Sequence, residues 1–169
     1  MFVDLLKGFL VGMCASAPIG PIAILVVQKS LSKGHKAGFV SGLGASVVDT
    51  LYASIAIFAL AFAQKFIEDH QSLILLVGGA VLIIVGVSMA FSDPFRKMKA
   101  DGESSVSPKD FGQAVAMGLS NPMAIFVMFT LFAFFGLADD SPHNWKVAPI
   151  ILSVSLGSVT YWFSMSWLL

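Results

Sequence analysis

The chain has 169 residues, 57% hydrophobic and 12% charged, with a mean hydropathy of +0.87. Soluble domains carry about 25% charged residues, so the composition points to a membrane protein rather than a soluble fold. Ten Lys and Arg balance ten Asp and Glu, which removes any global attraction to nucleic acid, and the single Cys14 excludes an internal disulfide and any redox pair within the chain.

Five apolar segments follow one another, at roughly 5–27, 37–63, 72–92, 111–137 and 147–169. Each is long enough to cross about 30 Å of hydrocarbon as a helix, and too long for a barrel strand. The first does not read as a secretory leader: Asp4 and Lys7 cancel, and the apolar run continues well past Cys14. Part-way along it stands Ser16-Ala17-Pro18-Ile19-Gly20-Pro21. Two prolines without a backbone donor and a glycine open to unusual dihedrals predict a broken helix. The alternative is a proline kink absorbed by packing and water.

The second segment carries Asp49, about twelve residues from its nearer end, or roughly 18 Å along a helix. A carboxylate near the middle of a bilayer is costly unless it faces a polar cavity or a partner, so Asp49 reads as functional. The alternative is a structural hydrogen bond to Ser16, Asn121 or a backbone carbonyl. Around it Gly38, Gly42, Ala45, Ser46, Ala53 and Ala56 form a face of small residues. That face reads first as packing within the molecule, with a homo-oligomer interface as the alternative. Tyr52, one turn on, either lines the same cavity or anchors packing.

Gly78, Gly79 and Gly86 let the third segment pack closely. The polar linker 93–110 ends in Ser107-Pro108-Lys109-Asp110, which predicts an N-cap, a proline in the first helical position and an acid in the third. The fourth segment is interrupted by Ser120-Asn121-Pro122, at a depth similar to the first break. His35, His70 and His143 fall in connectors without ligand spacing, so no metal site is expected, and no Walker motif or other cofactor signature is present.

Lys29, Lys33 and Lys36 follow the first segment, and Arg96, Lys97, Lys99 and Lys109 lie in the linker; the other connectors hold only Lys7, Lys65 and Lys146. The positive-inside rule then makes the basic connectors cytoplasmic and the N-terminus external. The first and fourth segments share a glycine followed by a Ser-x-Pro break, and three spans separate their starts. They therefore enter from opposite sides, as in an inverted repeat. The expected architecture is an all-α integral membrane protein, a multi-pass bundle of five spans arranged as a 3+3 inverted repeat lacking its last helix. Residues 1–92 form the first repeat, 93–110 the cytoplasmic linker and 111–169 an incomplete second repeat.

Several motifs carry a family resemblance. Gly8-Phe9, Gly12, Ser16-x-Pro18-x-Gly20-Pro21, Ser30-Leu31-x-x-Gly34, Ala37-Gly38-Phe39, Gly42-Leu43-Gly44-Ala45 with Asp49, and Gly118-Leu119-Ser120-Asn121-Pro122-x-Ala124 resemble the lysine exporter and homoserine/threonine-resistance transporter family. The resemblance spans nearly the whole chain. It implies a bacterial inner-membrane exporter of amino acids or related metabolites, driven by the proton motive force, with about six spanning helices. Two positions depart from the family pattern: Ile19, often a second proline, and Met123, often a lysine. The candidate residues for substrate binding or coupling are Asp49, Ser16, Pro18, Gly20, Pro21, Gly44, Tyr52, Asn121 and Pro122. Asp49 would exchange protons or bind a substrate ammonium, and the first break would hold a carboxylate. The expected partners are a small-molecule substrate, protons and the lipid bilayer. Export of a metal or inorganic cation is the runner-up; a thiol-disulfide carrier, as in the wider superfamily, conflicts with one cysteine; a non-transporting assembly protein leaves Asp49 unexplained.

Overall fold

The structure, a computed structural model, describes residues 1–17, 20–69, 76, 106–137 and 146–169, with the side chains of all of these except 61–69. Pro18, the third apolar segment apart from Leu76, most of the linker, His70 and His143 lie outside the described residues.

All described secondary structure is helical. Helix α1, Phe2–Ala15, stops at Ser16, and α2, Pro21–Lys33, begins after the break. At 14 and 13 residues, they are about 20 Å long each, so neither crosses a bilayer alone. Gly20 caps α2 at φ 127°, a conformation that excludes other residues without strain, and Pro21 fills the first helical position. Gly34, at φ 88°, turns the chain directly into α3, His35–Asp69. This helix starts two residues earlier and ends six later than the sequence reading, 37–63; its apolar part, His35–Leu60, is long enough to span.

Helix α4, Pro108–Leu119, opens with the expected capping box: the Lys109 N–H donates to Ser107 Oγ, and Asp110 accepts from the Ser107 N–H at 3.0 Å. Asn121 caps α5, Pro122–Phe134, and the axis bends by 71° between α4 and α5. Helix α6 is Val147–Leu168. Among the described residues two helices, α3 and α6, are long and apolar enough to cross a membrane, and the bent α4–α5 pair makes a third if taken as one span. The first and fourth predicted segments are thus each two short helices, not single rods.

Helix directions follow from which residues meet. A Cβ on Gly8 would strike Ser153, and one on Gly12 would strike Val154, while Gly157 lies against Phe9 and Met13, so α1 and α6 run parallel in close contact. Gly42 abuts Trp162, Phe39 meets Phe163 and His35 meets Trp167, so α3 and α6 are antiparallel. Gly44 packs on Phe111 and Gly118 on Val48, so α3 and α4 are parallel. Helices α1 and α4 therefore run in opposite directions. The small face of α3 is spent on contacts within the chain: Gly38 on Ser30, Gly42 on Trp162 and Ser46 on Ser158.

Where α2 ends and α4 begins, Lys29 Nζ lies 2.7 Å and Lys33 Nζ 3.2 Å from Asp110 Oδ1. All three side chains are buried. The basic connector after the first segment and the start of the fourth thus share one end of the bundle. The N-terminal amine, paired with Asp4 at 2.9 Å, marks the other end.

Candidate functional site

Asp49 sits near the centre of the apolar part of α3, fourteen residues from His35 and eleven from Leu60. It is 9% exposed, and its Oδ2 accepts from Ser16 Oγ at 2.8 Å and from Ser158 Oγ at 2.7 Å. Ser16 and Ser158 are 2.8 Å apart, and Ser158 is 2.9 Å from Ser46 Oγ. The three hydroxyls come from the end of α1, from α3 and from the middle of α6, so the cluster ties three helices at one depth.

Each hydroxyl has one proton to give. With Asp49 ionised, the protons of Ser16 and Ser158 both go to Oδ2, and that of Ser46 serves Ser158 or the Gly42 carbonyl, 3.1 Å away. With Asp49 protonated, the hydroxyls are free to rearrange along Ser16–Ser158–Ser46. The cluster tolerates either protonation state without breaking helix contacts. No cationic side chain partners Asp49 among the described residues. Hydrogen bonds to an ionised group each contribute about 1.5–3 kcal/mol, which offsets part of the desolvation of the carboxylate.

Beside the carboxylate lies a recess of about 70 Å³. The break after α1 supplies Ala15, Ser16 and Ala17, the first turn of α2 supplies Ile22 and Ala23, and α3 supplies Ala45 and Asp49. Asn121, Met123, Ala124 and Val127 close one side, and Trp162 of α6 closes another. Both helix breaks and the buried acid therefore meet at one cavity, with apolar walls and one charged group.

The candidate residues divide on this geometry. Ser16, Asp49 and Asn121 line the recess. Gly20 and Pro21 set the start of α2 immediately before two lining residues, and Pro122 does the same for α5. Tyr52 is not among the lining residues; its hydroxyl donates to the Gly118 carbonyl at 3.2 Å and reaches that of Leu119 at 3.4 Å, which satisfies the free end of α4. Gly44 also stands away from the recess, where a Cβ would press on the Phe111 carbonyl. Pro18 lies outside the described residues.

Sequence reasoning missed Ser158, Trp162 and the pairing of Lys29 and Lys33 with Asp110. The depth argument that singled out Asp49 finds Ser158 too: eleven residues from Val147 is roughly 17 Å along α6.

Residues 13–169 match the sequence profile described as LysE type translocator. The chain belongs to the LysE-type translocator family. Over 116 residues it is 29% identical to the uncharacterized membrane protein YahN of Escherichia coli K12, covering 68% of this chain and 52% of that protein. It is 26% identical over 131 residues to the putative amino acid efflux protein YcgF of Bacillus subtilis 168 (75% and 61%), and 24% identical over 143 residues to the leucine efflux protein of Salmonella typhimurium LT2 (84% and 66%). The chain matches between about half and two thirds of the length of these relatives. No solved structure gives a significant match. In this LysE-type translocator the position after Asn121-Pro122 is Met123, which lines the recess, so the wall carries no basic residue where the family resemblance leads one to expect lysine.

Proposed function

We propose that the protein is a secondary active transporter that exports amino acids or related small metabolites across the bacterial inner membrane, with proton exchange at Asp49 as the coupling step. The observation that carries this reading is the Asp49 carboxylate, held among the described residues only by hydroxyls, at the mid-depth of a spanning helix and opening on a recess between two broken helices. A carboxylate without a fixed cation can take up either a proton or a substrate ammonium. The names of two relatives, a putative amino acid efflux protein and a leucine efflux protein, support the substrate class.

On this reading residues 1–92 and 111–169 belong to two repeats of opposite orientation joined by a cytoplasmic linker, with the N-terminus outside and five spans in this chain. The opposed directions of α1 and α4 support it. The transport cycle would rock the α1–α2 and α4–α5 pairs about the recess. An inorganic cation could use the same oxygen cluster, but Ile22, Ala23, Ala45, Ala124 and Val127 suit an organic substrate better.

The test is export from proteoliposomes loaded in turn with each common amino acid. At least one should leave faster than from protein-free vesicles, and faster still under an imposed pH gradient. If no amino acid moves while a metal or alkali cation does, the amino acid reading is wrong.

A further inference from the structure

Asp49 accounts for one wall of the recess. The wall made by α2 and α6 has a different chemistry. Helix α2 has no side-chain cap: its N-cap is Gly20, and Pro21 has no N–H. Its first available donors are the N–H groups of Ile22 and Ala23, which as N2 and N3 have no intrahelical acceptor, and both residues line the recess. At the other helix start on the recess, Asn121 Oδ1 already takes the Met123 N–H at 3.1 Å.

An uncapped helix start would carry little alone, but a second donor stands beside it. Trp162 lines the same recess and is 3% exposed, and its Nε1–H is buried with no acceptor among the described residues. The indole packs in one cluster with Ala23, Val26 and Ala45, which sets it against the first turn of α2. Two other buried groups lack partners among the described residues, the hydroxyls of Ser30 and Ser166. A helical serine can turn its hydroxyl to a carbonyl one turn back. An indole has one fixed N–H and no acceptor, so it has no such recourse. A buried donor without a protein acceptor is one that a ligand can satisfy.

We propose that Trp162 Nε1–H, with the N–H groups of Ile22 and Ala23, binds the substrate carboxylate while Asp49 binds the substrate ammonium. This rests on the reading of the protein as an amino acid exporter and assigns that substrate's two ends. The small recess requires the two charges to lie close together, as on the single α-carbon of an amino acid. The side chain then faces Met123, Ala124 and Val127, which favours small or apolar neutral side chains and gives an acidic or basic one no partner.

The test uses the full chain in detergent and three matched pairs of probes: L-alanine and ethylamine, L-threonine and 1-amino-2-propanol, L-leucine and 3-methylbutylamine. Each amine lacks only the carboxylate. Calorimetric affinities are measured for the wild type and for Trp162→Phe, which keeps an aromatic ring in the cluster and removes the donor. The variant should bind the amino acid about ten- to a hundredfold more weakly, as for a lost hydrogen bond to a charged group, and bind the amine unchanged. Equal weakening of both, or of neither, overturns the assignment and leaves amino acid export standing. If the wild type binds none of the amino acids and exports none, both readings fall together. A readout on the wild type covers the case of a variant that does not fold. With tryptophan labelled with ¹⁵N, the Trp162 indole proton, assigned by replacing Trp145 and Trp167, should move downfield with the amino acid and not with the amine. An indole proton unmoved at saturating amino acid overturns the proposal.

Discussion

Asp110→Asn should destabilise the protein strongly although Asp110 lies outside the recess. Its Oδ1 is 2.7 Å from Lys29 Nζ and 3.2 Å from Lys33 Nζ, and its Oδ2 accepts from the Ser107 N–H at 3.0 Å. The three side chains are 1%, 5% and 2% exposed. Asparagine has the same shape but a single acceptor oxygen, which can serve the cap or a lysine but not both, and it removes the carboxylate charge that two buried ammonium groups face. Removing one partner of a buried pair costs about 3–5 kcal/mol. For a chain of this size each kcal/mol moves the unfolding midpoint by about 2–4 °C, so the variant should melt about 6–20 °C lower. The assay is thermal unfolding in detergent followed by tryptophan fluorescence, at one fixed scan rate because irreversible unfolding makes the midpoint rate-dependent. Adding Lys33→Met to Asp110→Asn removes one stranded ammonium and should recover part of the loss, whereas Lys33→Met alone should lower the midpoint. A midpoint for Asp110→Asn within about 2 °C of wild type, or losses that simply add in the double variant, would refute the reasoning.

Three further outcomes follow from particular contacts. Gly12→Ala should reduce the yield of monodisperse protein sharply, because its Cβ would meet the Val154 carbonyl and sit 2.9 Å from Ser158 N, both backbone groups that cannot move aside; Gly112→Ala, with nothing within 4 Å, is the matched control and should leave yield unchanged. Ser158→Ala takes away one of the two hydroxyls on Asp49 and should lower stability by about 1.5–3 kcal/mol, read as a lower midpoint in the same thermal assay, with Ser158→Thr closer to wild type. Lys36 is exposed at the start of α3, so Lys36→Cys in a Cys14-free background should resist an impermeant thiol reagent in intact cells and react in inside-out vesicles; labelling in intact cells would reverse the assigned topology.

The parts of this architecture legible in the sequence are those that a single residue type dictates locally. Pro21 and Pro122 cannot continue a helix, so both breaks fell where expected, and Ser107-Pro108-Lys109-Asp110 specified its own cap. Asp49 stood out because charge in an apolar span is rare. What escaped was pairwise. Ser158 is an ordinary residue in a helix that holds six serines and threonines; only its depth, matched to Asp49, marks it. Lys29 and Lys33 counted as basic connector residues, yet their stems run into the protein and end on Asp110, a contact set by how α2 folds back beside α4. Tyr52 and Gly44 share a helix with Asp49 but meet α4, because at 3.6 residues per turn they lie about 60° and about 140° round α3 from Asp49, both on the side of α4. Trp162 had no mark in the sequence at all; its meaning lies in an indole N–H that finds no acceptor among the described residues.

The most direct test of the coupling role is Asp49→Asn, which keeps the size of the side chain and an oxygen for Ser16 and Ser158 but cannot ionise. Substrate efflux is measured from proteoliposomes with and without an imposed pH gradient, on protein shown to be monodisperse. Asp49 as the coupling group predicts a folded variant whose efflux no longer responds to the gradient. A variant that retains the wild-type acceleration by the gradient would contradict it.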